Sequence, residues 1–253
     1  MLFRSGPGRR AGVVTAPKAR IWELDAFRGV AILAVILVHL LFDLRYFLGL
    51  NLGYDNTVFQ FIMQYGGVVF VVLSGICVTL GRRSLRRGLI VFGCAMAVTL
   101  VTEAMVWLGL DSGSIVVRFG VLHLLGLCML LWPLLRRLPT GVMAVLGLVL
   151  VVLGYWFRTF HVEAVWLFPL GLTAPGFSSS DYFPLLPHLG WFLLGAVLGR
   201  TAYREKQTLL PRVNAQAAPI RFFSWCGRMS LFLYLGHQPV LYALVSAIAA
   251  LRG

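Results

Sequence analysis

Charged residues are scarce in this sequence. Only 12% of its 253 residues are Asp, Glu, Lys or Arg, and 59% are hydrophobic; soluble domains run about 25% and about 45–50%. That excludes a water-soluble globule and a chain disordered throughout. Acidic residues are the scarcest, nine Asp plus Glu against 22 Lys plus Arg, for a net charge of +13. In so apolar a chain a basic excess marks loops held on the cytoplasmic side of a membrane, so nucleic acid is excluded as a partner. Cysteine is sparse too. Cys77, Cys94, Cys128 and Cys226 form no CxxC pair and none lies at metal-ligand spacing from a histidine, so they read as small apolar packing residues, and no metal is expected. No cleavable leader is expected. Residues 1–20 have no apolar core; with Arg4, Arg9, Arg10, Lys18 and Arg20 they read as a disordered basic cytoplasmic tail ahead of a single domain, 21–253.

What the sequence has in abundance is long apolar runs. A hydrocarbon core of about 30 Å needs about 20 apolar residues as a helix. Seven runs qualify, at 24–46, 57–80, 88–108, 114–135, 141–157, 186–203 and 229–250. The expected fold is therefore all-α, a polytopic integral membrane bundle of about seven transmembrane helices. With the amino terminus in the cytoplasm and the carboxyl terminus outside, only Arg45, Arg118, Arg158 and Arg252 of the basic residues fall on the outer side. The outer stretch His161 to Asp181 reads as a functional interfacial loop. Gly195 and Gly199, spaced as GxxxG, suit close helix packing within the bundle or between copies in a homo-oligomer.

An ionisable residue within a bilayer is costly unless it is paired or faces a polar cavity. His39 lies about 22 Å along the first span from Leu24 by helical rise, in its outer half. Asp43 follows at i+4 on the same face, where a carboxylate can orient an imidazole acting as general base. The plainer reading is a pair bonding neighbouring helices. Glu103, Arg118, His123, Asp181 and His188 gather in the same outer half, with Glu103 and Arg118 suited to an ion pair and His188 to the interface. His237 and Gln238, ahead of Pro239 in the last span, fit a cavity wall nearer mid-membrane. On the inner side, Asp25 and Arg28 read as a structural i, i+3 pair. Arg82, Arg83, Arg86 and Arg87 suit a phosphorylated ligand, or equally a retained loop against anionic membrane lipid. These residues fit an acyltransferase using acyl-coenzyme A and fit a small transporter or flippase equally well; a non-catalytic scaffold is the third reading.

The order of motifs separates these. RIWELDAFRGVAILAVILVHLLFDL (20–44), YGGVVFVVLSG (65–75), RFGVLHLLGL (118–127), DYFPLLPHLGWFLLGAVLGR (181–200) and SLFLYLGHQPVL (230–241) together resemble the catalytic-domain family of heparan-α-glucosaminide N-acetyltransferase, in its compact bacterial form. The opening LDAFRG is more weakly similar to the membrane acyltransferase-3 family. The resemblance implies an enzyme of the bacterial inner membrane that moves an acetyl group from cytosolic acetyl-coenzyme A to an amine or hydroxyl of a sugar or glycan acceptor on the far side. Carried onto this chain, His39 is the candidate base and Asp43 its orienter. Arg118, His123, His237 and Gln238 are candidates to complete the catalytic group, and Arg82, Arg83, Arg86 and Arg87 to meet the coenzyme phosphates. The first outer loop, Arg45 to Asn56, holds the histidine in the family's animal enzyme; here it has Asn51, Tyr54, Asp55 and Asn56 instead.

Overall fold

Long apolar runs have one economical backbone solution in lipid, the helix, because it satisfies its own amides and carbonyls. The computed structural model describes residues 20–50, 52–53, 55–110, 113, 115–160 and 162–252. Among the described residues eight α-helices follow in order: α1 Trp22–Leu48, α2 Thr57–Leu80, α3 Ser84–Trp107, α4 Val121–Leu135, α5 Thr140–Phe157, α6 Leu185–Thr201, α7 Ala218–Arg228 and α8 Ser230–Arg252. A 3-10 turn, Val165–Leu170, lies between α5 and α6. Among the described residues there is no strand, only an isolated bridge between Phe119 and Tyr182. All but Arg20 of the expected tail, along with Asn51, Tyr54 and His161, lie outside the described residues.

Each of the seven runs contains a helix. By length and hydropathy, α1, α3, α5 and α8 are long and apolar enough to cross a membrane. The fourth run, expected from 114, becomes helical only at Val121 and gives a 15-residue helix, about 22 Å long. The segment before it is extended and pairs with the approach to α6. Ser180 N–H donates to the Val116 carbonyl and Phe183 N–H to the Phe119 carbonyl, both at 2.8 Å. This pairing supplies partners for backbone that the helix does not cover. Helix α7 was not read from the sequence: it is amphipathic, 11 residues long, and packs against the start of α1.

Between lipid-immersed helices there is no hydrophobic drive, so small residues that allow backbones to touch do the packing. A Cβ on Gly75 would meet the Phe192 carbonyl; one on Gly195 or Gly199 would meet the backbone of Val72 or Ile76. The GxxxG pair of α6 is thus spent on α2, inside the bundle. Gly29 and Gly227 similarly seat α7 on α1. The core of Leu124, Cys128, Met143, Phe192, Leu193 and Ala196 is fully buried. Outward residues are no less apolar: Leu100 is 68% exposed, Val152 66% and Phe232 68%. A continuous apolar exterior on helices of this length belongs in lipid, so the chain is an integral membrane protein.

Helices α3 and α4 run antiparallel, as do α5 and α6, while α2 runs parallel to α6. This brings the start of α1, the α2–α3 and α4–α5 turns, and residues 202–230 to one end of the bundle, where most arginines cluster. Arg200 ties that end together, donating to the Arg136 and Leu138 carbonyls at 2.6 and 2.7 Å and covering the Trp132 ring.

Candidate functional site

Helices α1 and α8 run side by side, and the polar residues of each are placed where a helical face meets its neighbour. His39 on α1 faces His237 on α8, with ring centroids 4.9 Å apart. One turn on, Gln238 Nε2 lies 3.4 and 3.5 Å from the two oxygens of the buried Asp43 carboxylate. Thus His39, Asp43, His237 and Gln238 are brought together. The expected contact from Asp43 to His39 is not among the hydrogen bonds of the described residues. The carboxylate turns to Gln238 on the neighbouring helix, and His39 turns to an imidazole.

The ring of His237 has a defined tautomer. Its Nδ1 lies 2.6 Å from the Tyr234 carbonyl, so Nδ1 carries the proton and donates it. Nε2 is left with a lone pair, buried, and without a hydrogen-bond partner among the described residues. The carbonyl oxygen of Gln238 is likewise buried and unpartnered. Buried polar atoms are normally satisfied, so two orphans on successive residues, both able to accept a proton or hydrogen bond, identify a place where a ligand donor belongs. Two imidazoles in contact also carry at most one excess proton between them without like-charge repulsion, which keeps one of them available as a base.

Next to this group lies a cavity of about 390 Å³. Asp25, Arg28, Arg87 and Arg228 stand at its mouth at the basic end, while Phe70, Val78, Val91, Leu122, Leu125 and Met129 line its apolar shaft. Ser74, Cys77, Ser230 and Tyr234 are its polar wall residues. From Gly81 to Phe70 the shaft extends about 16 Å along α2 by helical rise. The Tyr234 ring also packs on His237, centroids 5.5 Å apart. A larger, open cavity of about 1140 Å³ adjoins it, lined by Trp22, Lys206, Arg221, Phe222 and Trp225. Arg20 and Arg228 belong to both walls.

Other candidates are placed elsewhere. Of the four arginines in 82–87, only Arg87 lines the cavity, at its mouth; Arg82 and Arg83 are exposed on the turn leading into α3, and Arg86 is exposed in its first turn. Asp25 and Arg28 do pair, at 3.0 Å, but at the cavity mouth. Arg118 precedes α4 instead of lying in its first turn, so it points along the extended segment. Its guanidinium donates to the Ser178 carbonyl at 2.7 Å, lies 3.5 Å from Glu103 and covers the Phe177 ring. The expected ion pair with Glu103 is present, and no described contact joins Arg118 to His39.

His123 is buried and fully used, one nitrogen by its own helix start and the other by α3. Its Nδ1 accepts the Gly120 N–H at 3.2 Å. Its Nε2 is 3.2 Å from Thr99 Oγ1, whose proton goes to the Val117 carbonyl at 2.6 Å, so Nε2 is the donor. With both nitrogens engaged it has no lone pair to offer as a base, and it caps α4. His188, expected at the interface, is buried and donates from Nδ1 to the Pro184 carbonyl at 2.8 Å.

Sequence reasoning missed Tyr234, Arg228 and Cys77 as cavity residues and took Asp181 only as one of an outer group. Asp181 is central: its Oδ2 accepts from Tyr234 Oη at 2.7 Å and from the Val121 amide at 2.9 Å. Burial pushes its carboxyl above the usual carboxylate range, against the opposing pull of those two donors. The only sequence signal was the costly Asp181 beside a long apolar run; a tyrosine in an apolar helix carries none.

The protein-family model described as heparan-alpha-glucosaminide N-acetyltransferase, catalytic, matches residues 20–239. That interval includes His39, Asp43, Tyr234, His237 and Gln238 and both cavity walls. No curated protein and no solved structure matches the chain.

Proposed function

The chain belongs to the heparan-alpha-glucosaminide N-acetyltransferase catalytic family, and from that premise we propose that it acetylates an amine or hydroxyl of a sugar-type acceptor, with acetyl-coenzyme A as donor. The observation that carries this reading is the orphaned Nε2 of buried His237, beside His39 and one helical turn from a residue of the cavity wall. The membrane acetyltransferase class follows from the family; donor, acceptor and residue roles are the proposal.

The two adjoining cavities suit the two halves of such a donor. The wide basic cavity with its indole rings matches a phosphorylated nucleotide, which stacks and pairs with cations. The narrow apolar shaft matches the thioester arm, with Arg20 and Arg228 at the junction. In this reading the basic end faces the cytoplasm and the seven apolar helices cross the inner membrane of a bacterial cell, the amino terminus inside and the carboxyl terminus outside.

The imidazole pair takes the proton from the acceptor amine or hydroxyl as its lone pair attacks the thioester carbonyl. A new C–N or C–O bond forms, the C–S bond breaks, and the proton passes to the departing coenzyme thiolate. Asp43 holds Gln238 so that its carbonyl is free to accept a hydrogen from the incoming acceptor.

The test uses purified protein in lipid nanodiscs, acetyl-radiolabelled coenzyme A and a panel of aminosugars and sugar alcohols. Label is expected on at least one acceptor with wild type and not with His39→Ala. Transfer surviving in His39→Ala but lost in His237→Gln moves the base to α8. Absence of both transfer and coenzyme binding refutes the reading and turns attention to substrate flux in sealed vesicles.

A further inference from the structure

One residue joins the inner cavity to the histidine pair. The Tyr234 side chain lines the shaft, its carbonyl accepts the Nδ1 proton of His237, and its hydroxyl donates to Asp181 from a loop remote in sequence. Asp181 is itself held: the same Oδ2 takes the Val121 amide, and Ser179 Oγ donates to the Asp181 carbonyl at 2.7 Å. Gly120 is the residue this arrangement requires, since a Cβ there would strike the Asp181 carboxylate.

We propose that Tyr234, latched by Asp181, is the positioning residue of the transfer step, registering the histidine pair against the end of the donor shaft. The proposal rests on the donor reading of that shaft. Its physical basis is that the α8 backbone is weakened near this point. Pro239 lacks the amide that would bond one turn back, and Gly236 has open space around its Cα. A hydroxyl anchored outside the helix fixes the rotation that the helix leaves loose, and the His237 ring is set by that same residue's carbonyl. The hydrogen bonds of the latch go to Asp181, Val121 and His237 and to none of the arginines at the mouth, so it governs geometry at the reacting end without holding the nucleotide.

Three variants separate this role from a structural one: Tyr234→Phe, Asp181→Ala and Asp181→Asn. Asparagine retains an oxygen able to accept both bonds. Each is purified in nanodiscs and assayed for thiol release from acetyl-coenzyme A with glucosamine as acceptor, for binding of coenzyme A, and for the histidine ¹⁵N spectrum. Tyr234→Phe and Asp181→Ala are expected to lower kcat at least about 10-fold, with the donor KM and coenzyme affinity within about twofold, since geometry and not binding is lost. Asp181→Asn is expected to restore most of the loss. The His237 signal, identified by its disappearance in His237→Gln, is expected to show one Nδ1–H tautomer in wild type and a mixture in Tyr234→Phe.

Wild-type kcat and an unchanged His237 signal in Tyr234→Phe would overturn the proposal, as would a loss of coenzyme affinity that accounts for the whole defect. If wild type binds no coenzyme A, the donor reading fails instead. If it binds coenzyme but does not acetylate glucosamine, the tautomer signal still decides the latch.

Discussion

Replacing His123 by leucine tests the division between structural and chemical histidines. The ring is 2% exposed, and both nitrogens are engaged, one by the Gly120 amide and one by Thr99. Leucine matches the ring in apolar character but removes two hydrogen bonds worth about 0.5–1.5 kcal/mol each and orphans a buried amide at about 1–3 kcal/mol. Because these overlap, the combined loss is about 2–4 kcal/mol. At about 2–4 °C per kcal/mol for a chain of this size, the unfolding midpoint should fall by about 4–16 °C. Fluorescence-detected size exclusion after heating in detergent reads the midpoint, and thiol release normalised to the folded peak reads activity. The expected result is a clear drop in midpoint with turnover per folded molecule within about threefold of wild type. An unchanged midpoint with turnover abolished would refute the tautomer argument and return His123 to the chemistry.

His39→Gln and His237→Gln should do the opposite, lowering turnover by about 10²–10⁴-fold, the usual worth of a positioned base, while shifting the midpoint by only a few degrees; a large midpoint loss in both would make the pair structural. Arg118→Ala removes exposed contacts worth about 0–1 kcal/mol, so activity within about twofold is expected in the same thiol-release assay, and a large kcat loss would place Arg118 in the site. Gly75→Leu should yield no folded monomer on size exclusion, because the side chain would collide with the α6 backbone at Phe192; a well-folded variant would contradict the α2–α6 contact. Cys77 lines the shaft whereas Cys128 and Cys226 are buried, so maleimide should modify Cys77 and coenzyme A should slow that modification, as peptide mass spectrometry would show; modification unaffected by saturating coenzyme would place the donor elsewhere.

Much of this architecture was legible before any coordinates. The apolar runs located every long helix, since in lipid a segment of that length and composition has no other way to satisfy its backbone. Ionisable residues in those runs marked α1 and α8, because each is costly in lipid, and the structure brings those of α1 and α8 together. His39, Asp43 and His237 stood out on that ground, and Gln238 through its place between His237 and Pro239. Helix α7 escaped because its pattern is short and half polar, close to that of a loop. The start of α4 was misplaced by seven residues because an extended segment buried against protein is as apolar as a helix in lipid.

Hydropathy and charge distribution are properties of a segment, and they were enough to define an apolar, multi-helix membrane protein with one basic end. Partnership is a property of two segments. Which carboxylate meets which amide, that Asp43 serves Gln238 and not His39, that His123 is consumed by its own helix cap, and that Tyr234 reaches Asp181 all depend on helix rotation and crossing. Those are set by glycine contacts and hydrogen bonds between residues far apart in the chain, where helical periodicity within any one segment carries no information.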